Sequence, residues 1–159
     1  MRDRERLIQE DYVETPHFPW KVLVICQCLN KAGWPIVQEV VKELFEKYPD
    51  PMSCDEICLD SQEPNEELAE LSDLVRCLGL SDRRVDFLIR MSRQYVAAEK
   101  VFGSRYDRYP VTEFRGCGQY AKDAWDLLVL GRPCVPNDRH LARLAKRIGL
   151  YGKRDKLCA

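Results

Sequence analysis

Histidine is scarce in this 159-residue chain, with only His17 and His140, and although there are eight cysteines, none forms a CxxC pair. Zinc and iron–sulfur sites use closely repeated ligands. Cys54-x-x-x-Cys58 comes nearest to that spacing but lacks a second pair, so neither a metal nor a cofactor is expected. Most of the cysteines fall on apolar stripes, where a free thiol behaves as a small buried hydrophobe, and a reducing compartment follows. No apolar run approaches the ~20 residues that span a bilayer, so no membrane association is expected. The opening MRDRERLIQEDY has no signal-peptide core, so secretion is not expected. There is no internal repeat, and no segment alternates apolar and polar residues as a half-buried strand would. The formal net charge is −1, which excludes indiscriminate electrostatic binding to nucleic acid.

What is present is charge segregated along the chain. Between Pro49 and Asp73 there are nine acidic residues and no lysine or arginine, whereas from Arg83 onward seventeen basic residues face eight acidic ones. A neutral protein of this kind can carry one basic face. Apolar residues make up 45%, enough for one core, and residues 1–159 are expected to form one domain.

Helical spacing recurs throughout. A short helix is predicted from Arg4 to Tyr12, broken by Thr15–Pro19. Pro19 suits the first turn of the next helix, where its missing N–H costs nothing. Trp20–Leu29 (WKVLVICQCL) is so apolar that it should be covered on most sides. Trp34–Tyr48 follows, and then an acidic connection of about 50–64 with one helical turn at Cys54–Leu59. Asn65–Leu78 is the next predicted helix, stopped at Gly79. Ser81 or Asp82 should cap a long helix that runs to about Lys100. Helices at Tyr120–Leu130 and Asp138–Leu150 close the chain. The fold class is all-α, with about eight helices.

Two features could carry chemistry. Arg115-Gly116-Cys117-Gly118-Gln119 is a tight turn that opens a helix. Amides at such a junction, helped by the helix dipole, can hold a phosphate, though most GxG pairs are ordinary turns. Asp138 stands twenty residues after Gly118, before HLARLAKRIGL. Aspartate there is a favoured N-cap, and the same carboxylate could stabilise a cationic transition state or activate water.

The hairpin, the helix after it and Pro136-Asn137-Asp138 resemble the helix-hairpin-helix DNA glycosylases of the endonuclease III superfamily. A nearer likeness is to the thymine/uracil mismatch glycosylase domain that is joined to a methyl-CpG-binding domain. Its landmarks occur in order as Leu7-Ile8-Gln9-Glu10, Pro19-Trp20-Lys21-Val22-Leu23, Leu29-Asn30-Lys31, Glu46-Lys47-Tyr48-Pro49, Leu78-Gly79-Leu80 and Gly116-x-Gly118-x-Tyr120. The resemblance implies two packed subdomains with a cleft between them. It implies Asp138 as the catalytic carboxylate, Gln9 and Tyr120 as the base pocket, and Leu80 and Lys31 as the side chains that enter the DNA stack. Gly116, Gly118 and Gln119 would form the phosphate-binding hairpin.

The activity so implied is base excision repair: flipping out thymine or uracil (or a related pyrimidine) mispaired with guanine and hydrolysing its N-glycosidic bond. Bifunctional members place a lysine where this chain has Tyr120, so no strand cleavage is expected. Lys122 is two residues on, about 200° around the helix. The cysteines that hold the endonuclease III cluster are missing beyond Asp138, where only Cys158 stands. The chain departs from the subfamily at Lys31, where arginine is usual, at Arg139, where histidine is usual, and in its longer acidic segment. Double-stranded DNA with a mismatched base is the expected partner, the nucleus the compartment and a monomer the working form. The acidic stretch 50–73 is a candidate docking surface for a protein partner. Two other readings compete: a catalytically silent helix-hairpin-helix module that binds DNA or chromatin, and an all-α interaction domain.

Overall fold

The computed structural model describes residues 6–59, 63 and 65–153. Its helices are α1 (Phe18–Leu29), α2 (Trp34–Lys47), α3 (Pro51–Asp55), α4 (Glu66–Val75), α5 (Ser81–Phe102), α6 (Gln119–Leu128) and α7 (Arg139–Arg147). Short 3-10 turns lie at Ile8–Tyr12, Arg76–Leu78, Tyr106–Arg108 and Val111–Glu113. Among the described residues the only β-type pairing is an isolated bridge between Cys134 and Tyr151. The fold is all-α, as the spacing predicts.

Helix α1 is the hub. Trp20, Val22, Leu23, Val24 and Ile25 have no exposed surface, each contributing about 1.5–3 kcal/mol before the entropy of ordering is set against it. Pro19 lies in its first turn. One side of α1 packs on α2 and α5, with α3 and α4 against α5; the other side packs on α6 and the Ile8–Tyr12 turn, with α7 against α6. Trp20 Nε1 donates to Ser92 Oγ at 3.0 Å and so ties α1 to α5 deep in the core. Two helical groups thus share one central helix, the two-subdomain arrangement expected.

Three predicted boundaries move for local reasons. The first helix tightens into the 3-10 turn Ile8–Tyr12, with residues 1–5 outside those described. The helical turn expected at Cys54–Leu59 forms earlier, because Asp50 Oδ1 accepts from Ser53 N at 2.8 Å and Pro51 is preorganised for the first turn. Helix α5 has no capping Ser or Asp; its cap position is Leu80, with φ +52°.

An aromatic cluster holds the approach to the hairpin. Tyr109 stacks on Trp125 with centroids 5.6 Å apart, and Tyr95 meets Trp125 edge-on. Trp125 Nε1 donates to Tyr106 O at 3.2 Å. The segment before the hairpin, irregular in sequence, is therefore fixed by α6 behind it.

Candidate active site

Gln9 is fully buried although it sits on a short turn near the start of the chain. Glu10 explains how that turn is held. Its carboxylate accepts from Leu7 N at 2.7 Å and from Arg147 Nη2 at 2.8 and 2.9 Å, binding the turn to α7. Gln9 Nε2 then donates to Tyr120 Oη at 3.4 Å and to Cys26 Sγ at 3.7 Å. Gln9 Oε1 is buried and accepts nothing among the described residues. An unsatisfied buried acceptor costs about 1–3 kcal/mol, and binding sites are where such costs are tolerated.

Tyr120 lies in the first turn of α6. Burial pushes its phenol well above the ordinary value; the charges of Cys26 and Asp138 push the same way, and the Gln9 bond opposes them. Burial likewise drives the Cys26 thiol far up, with Asp138 among the smaller contributions. Both groups are neutral around pH 7, and the Asp138 charge contributes in the same direction to each.

Asp138 is the N-cap of α7. Its Oδ1 accepts from His140 N and Leu141 N, both at 2.9 Å. These two bonds aim the carboxylate and leave the other oxygen without a hydrogen bond among the described residues. The sequence offered a cap or a catalytic group; the geometry makes this residue a cap whose second oxygen is available. Leu141, Leu144 and Ala145 bury one face of α7 beneath it.

The two hairpin glycines differ. Gly116 has φ +76°, and a Cβ there would meet Phe87 Cδ2 at 2.7 Å and Gln27 Nε2 at 3.0 Å. Only glycine fits. Gly118, at φ −117°, has nothing within 4 Å of where its Cβ would stand. The fold does not require glycine at 118, and the first turn of α6 has neither a side-chain cap nor an acidic residue. The first-turn amides therefore have no side-chain acceptor and lie at a positive dipole end. The Gln119 side chain is turned away, Nε2 donating to Asp123 Oδ1 at 2.8 Å, so the residue offers only its backbone at that end. Lys122 Nζ donates to Asp126 at 2.8 Å, on another face of α6 from Tyr120.

Leu80 and Lys31 stand on separate loops, and both adopt left-handed backbone, φ +52° and +58°. That is a strained conformation for side chains with a Cβ, costing roughly 1–3 kcal/mol each. Leu80 is 54% exposed despite being apolar. One residue secures both loops. The Arg84 guanidinium donates to the carbonyls of Gln27, Cys28 and Asn30 at the end of α1 and of Leu78 and Gly79 before Leu80, over 2.6–3.3 Å. Gln27 continues the link, Nε2 donating to Arg115 O in the hairpin at 2.7 Å. The Lys31 and Leu80 loops and the hairpin therefore form one connected rim.

Among the described residues, no group of three or more His, Cys, Asp or Glu side chains is placed to hold a metal ion, and no helix is long and apolar enough to cross a membrane. Cys158 lies outside the described residues.

The family model for HhH-GPD superfamily base excision DNA repair proteins matches residues 31–157. The chain belongs to that superfamily. A methyl-CpG-binding domain protein 4-like protein from Arabidopsis thaliana is 32% identical over 138 residues, 85% of this chain and 26% of the relative. A trapped endonuclease III–DNA covalent intermediate superposes with a TM-score of 0.61 at 21% identity, covering 82% of this chain and 57% of that one. A thermostable thymine-DNA glycosylase does so with 0.60 at 19%, covering 79% and 52%. The chain thus spans about a quarter of the curated relative and little more than half of each solved structure. At these identities the structures share the fold.

In this HhH-GPD chain, Gln9 and Tyr120 meet across 111 residues of sequence and the Asp138 charge acts on Tyr120, with Leu80, Lys31 and the hairpin on the linked rim. Sequence reasoning missed Cys26, Arg84, Gln27 and the Glu10–Arg147 pair. Gln27 did leave a signal, as one of two polar residues inside the apolar α1. Arg84 left none, because its carbonyl partners meet only when α1 and α5 pack. Part of the acidic segment is engaged internally, Asp55 with Arg93 at 3.1 Å and Glu70 near Lys47 at 4.0 Å.

Proposed function

We propose that this chain is a monofunctional DNA glycosylase that removes thymine or uracil mispaired with guanine. One observation carries the reading: Gln9 and Tyr120 are hydrogen-bonded across the chain, and Gln9 keeps a buried acceptor that no donor among the described residues fills, with the Asp138 charge acting on Tyr120. Thymine and uracil present an imide N3–H, a donor that matches Gln9 Oε1; cytosine presents an acceptor at N3. The name of the thymine-DNA glycosylase neighbour points the same way.

The duplex lies across the rim. The amides of Gly116, Gly118 and Gln119 take a strand phosphate at the uncapped start of α6. Extruding a base costs a few kcal/mol, less for a mismatch. Leu80, already held outward, fills the stack, and Lys31 faces the gap with its charge. Breaking the N-glycosidic bond sends the electron pair to the base and leaves oxocarbenium character on the sugar. The available Asp138 oxygen stabilises that cation and takes a proton from the water that adds to C1′. The phenol of Tyr120 has no amine with which to form a Schiff base, and Lys122 is paired with Asp126. The product is an abasic site without strand cleavage. Residues 1–159 act as one unit, as a monomer, on nuclear DNA.

The test is incubation with G·T and G·U duplexes followed by alkali. Strand breaks that appear only after alkali support the reading. Salt-sensitive DNA binding without base release would make the chain the catalytically silent module instead. No binding at any salt would remove both.

A further inference from the structure

Cys26 stands behind Gln9 on the central helix α1. It is 6% exposed, and its sulfur accepts from Gln9 Nε2 at 3.7 Å. Burial keeps the thiol protonated around pH 7. By itself it is one more small buried group among those of α1. Its bond to a buried glutamine with an unfilled oxygen makes it more than that.

The Gln9 amide can be counted group by group. Its nitrogen carries two protons and makes two bonds, to Tyr120 Oη at 3.4 Å and to Cys26 Sγ at 3.7 Å. Its oxygen is buried and has no donor among the described residues. The turn beneath is fixed by Glu10, which accepts from Leu7 N and from Arg147. The freedom left to the amide is rotation about its last side-chain bond, a soft torsion of two-fold character. Turned over, the oxygen would face Tyr120 O–H and Cys26 S–H, which can both donate, and two N–H groups would lack acceptors. One unfilled oxygen is the lesser cost, since an under-satisfied carbonyl is better tolerated than an orphaned N–H.

That balance depends on the sulfur. Without it, the present orientation leaves one N–H and the oxygen unfilled, against two N–H groups in the turned one. The counts become equal, and the preference shrinks by one hydrogen bond. The two orientations suit different bases. The present one offers an acceptor, which matches the N3–H of thymine and uracil. The turned one offers donors, which match the bare N3 of cytosine.

We infer that Cys26 is a positioning residue for base choice: by accepting from Gln9 Nε2 it holds the amide with its oxygen presented to an extruded imide base. The inference rests on the glycosylase reading above.

The test is single-turnover base release from duplexes with 5-fluorouracil or 5-fluorocytosine opposite guanine, the fluorine making each base a better leaving group. The cost of extrusion differs between the two duplexes but is common to all variants of the protein. Cys26→Val removes the acceptor and fills the space against water. It should raise 5-fluorocytosine release roughly 3–10-fold, the worth of one neutral hydrogen bond, while 5-fluorouracil release falls. Cys26→Ala, which adds no bulk, carries the same expectation where valine lowers the melting point. Cys26→Ser restores an acceptor and should keep the ratio of the two rates within about twofold of the wild type. A purely structural role for Cys26 would slow release of both bases together. Joint slowing, no gain with 5-fluorocytosine, or Cys26→Ser behaving as Cys26→Val overturns the inference and leaves the glycosylase reading intact. A wild type that releases neither base overturns both.

Discussion

Replacing each hairpin glycine by alanine separates the fold's demand from the ligand's. At Gly116 the backbone has φ +76° and the new Cβ would stand 2.7 Å from Phe87 Cδ2. The left-handed conformation costs alanine roughly 1–2 kcal/mol, and forcing Phe87 aside adds about 1–3. Against that, reduced freedom in the unfolded chain returns ~0.5–1. Gly116→Ala should therefore lose about 2–4 kcal/mol, a drop in melting temperature of roughly 5–15 °C for a chain of this size. At Gly118 the Cβ meets nothing within 4 Å and φ is −117°. The unfolded-chain gain and the weaker N-cap nearly cancel, so the melting point should stay within about 2 °C. The added methyl, however, occupies the approach to the α6 amides. Blocking a charge-assisted hydrogen bond there costs about 1.5–3 kcal/mol, or roughly 10–100-fold in DNA affinity. Thermal melts and anisotropy titrations of both variants are the assay. Wild-type DNA affinity in Gly118→Ala, or a melting point as low as that of Gly116→Ala, would refute the reasoning.

Other expectations concern the rim and the buried groups. Arg84→Lys keeps the charge but loses the fork that serves five carbonyls; a loss of about 2–4 kcal/mol is expected in urea melts, with weaker mismatch processing because the Leu80 and Lys31 loops loosen together. Borohydride should trap no covalent complex between the wild type and G·U DNA, and efficient trapping would undo the role given to Tyr120. Stability should fall in alkali. Burial holds the Cys28, Cys54 and Cys117 thiols up to about 12 against an ordinary 9.0, so the folded state keeps protons that the unfolded chain loses. That contribution is complete below pH 9.0 and is lost as pH rises toward 12, with the buried phenols of Tyr95 and Tyr120 acting in the same direction. Urea midpoints measured across that range check the sign.

Helix-forming periodicity made the α-class and the central place of α1 legible, since nine buried residues on one twelve-residue helix leave no polar face to hide. Asp138 was legible as a cap from its own neighbours. The catalytic role proposed for it comes from resemblance, because Gln9 and Tyr120 lie on other elements and single-residue patterns carry no long-range contact. Leu80 illustrates the limit from the other side. Its neighbours Ser81 and Asp82 are better caps than a leucine, yet the cap position of α5 is Leu80 in left-handed backbone, with Arg84 holding the carbonyls before it in place. A constraint made by packing overrides local preference. In the acidic segment the apolar residues point to a late helical turn, whereas the capping signal of Asp50 and Pro51 starts that turn sooner.

The central claim is that the Asp138 carboxylate performs the chemistry and does more than cap α7. Asn caps a helix about as well as Asp, so Asp138→Asn should keep both the melting point and the affinity for a G·U duplex. Single-turnover base release, read as alkali-labile strand at saturating enzyme, should fall by about 10²–10⁴-fold. Release at a rate close to that of the wild type, from a folded and DNA-bound variant, would contradict the account.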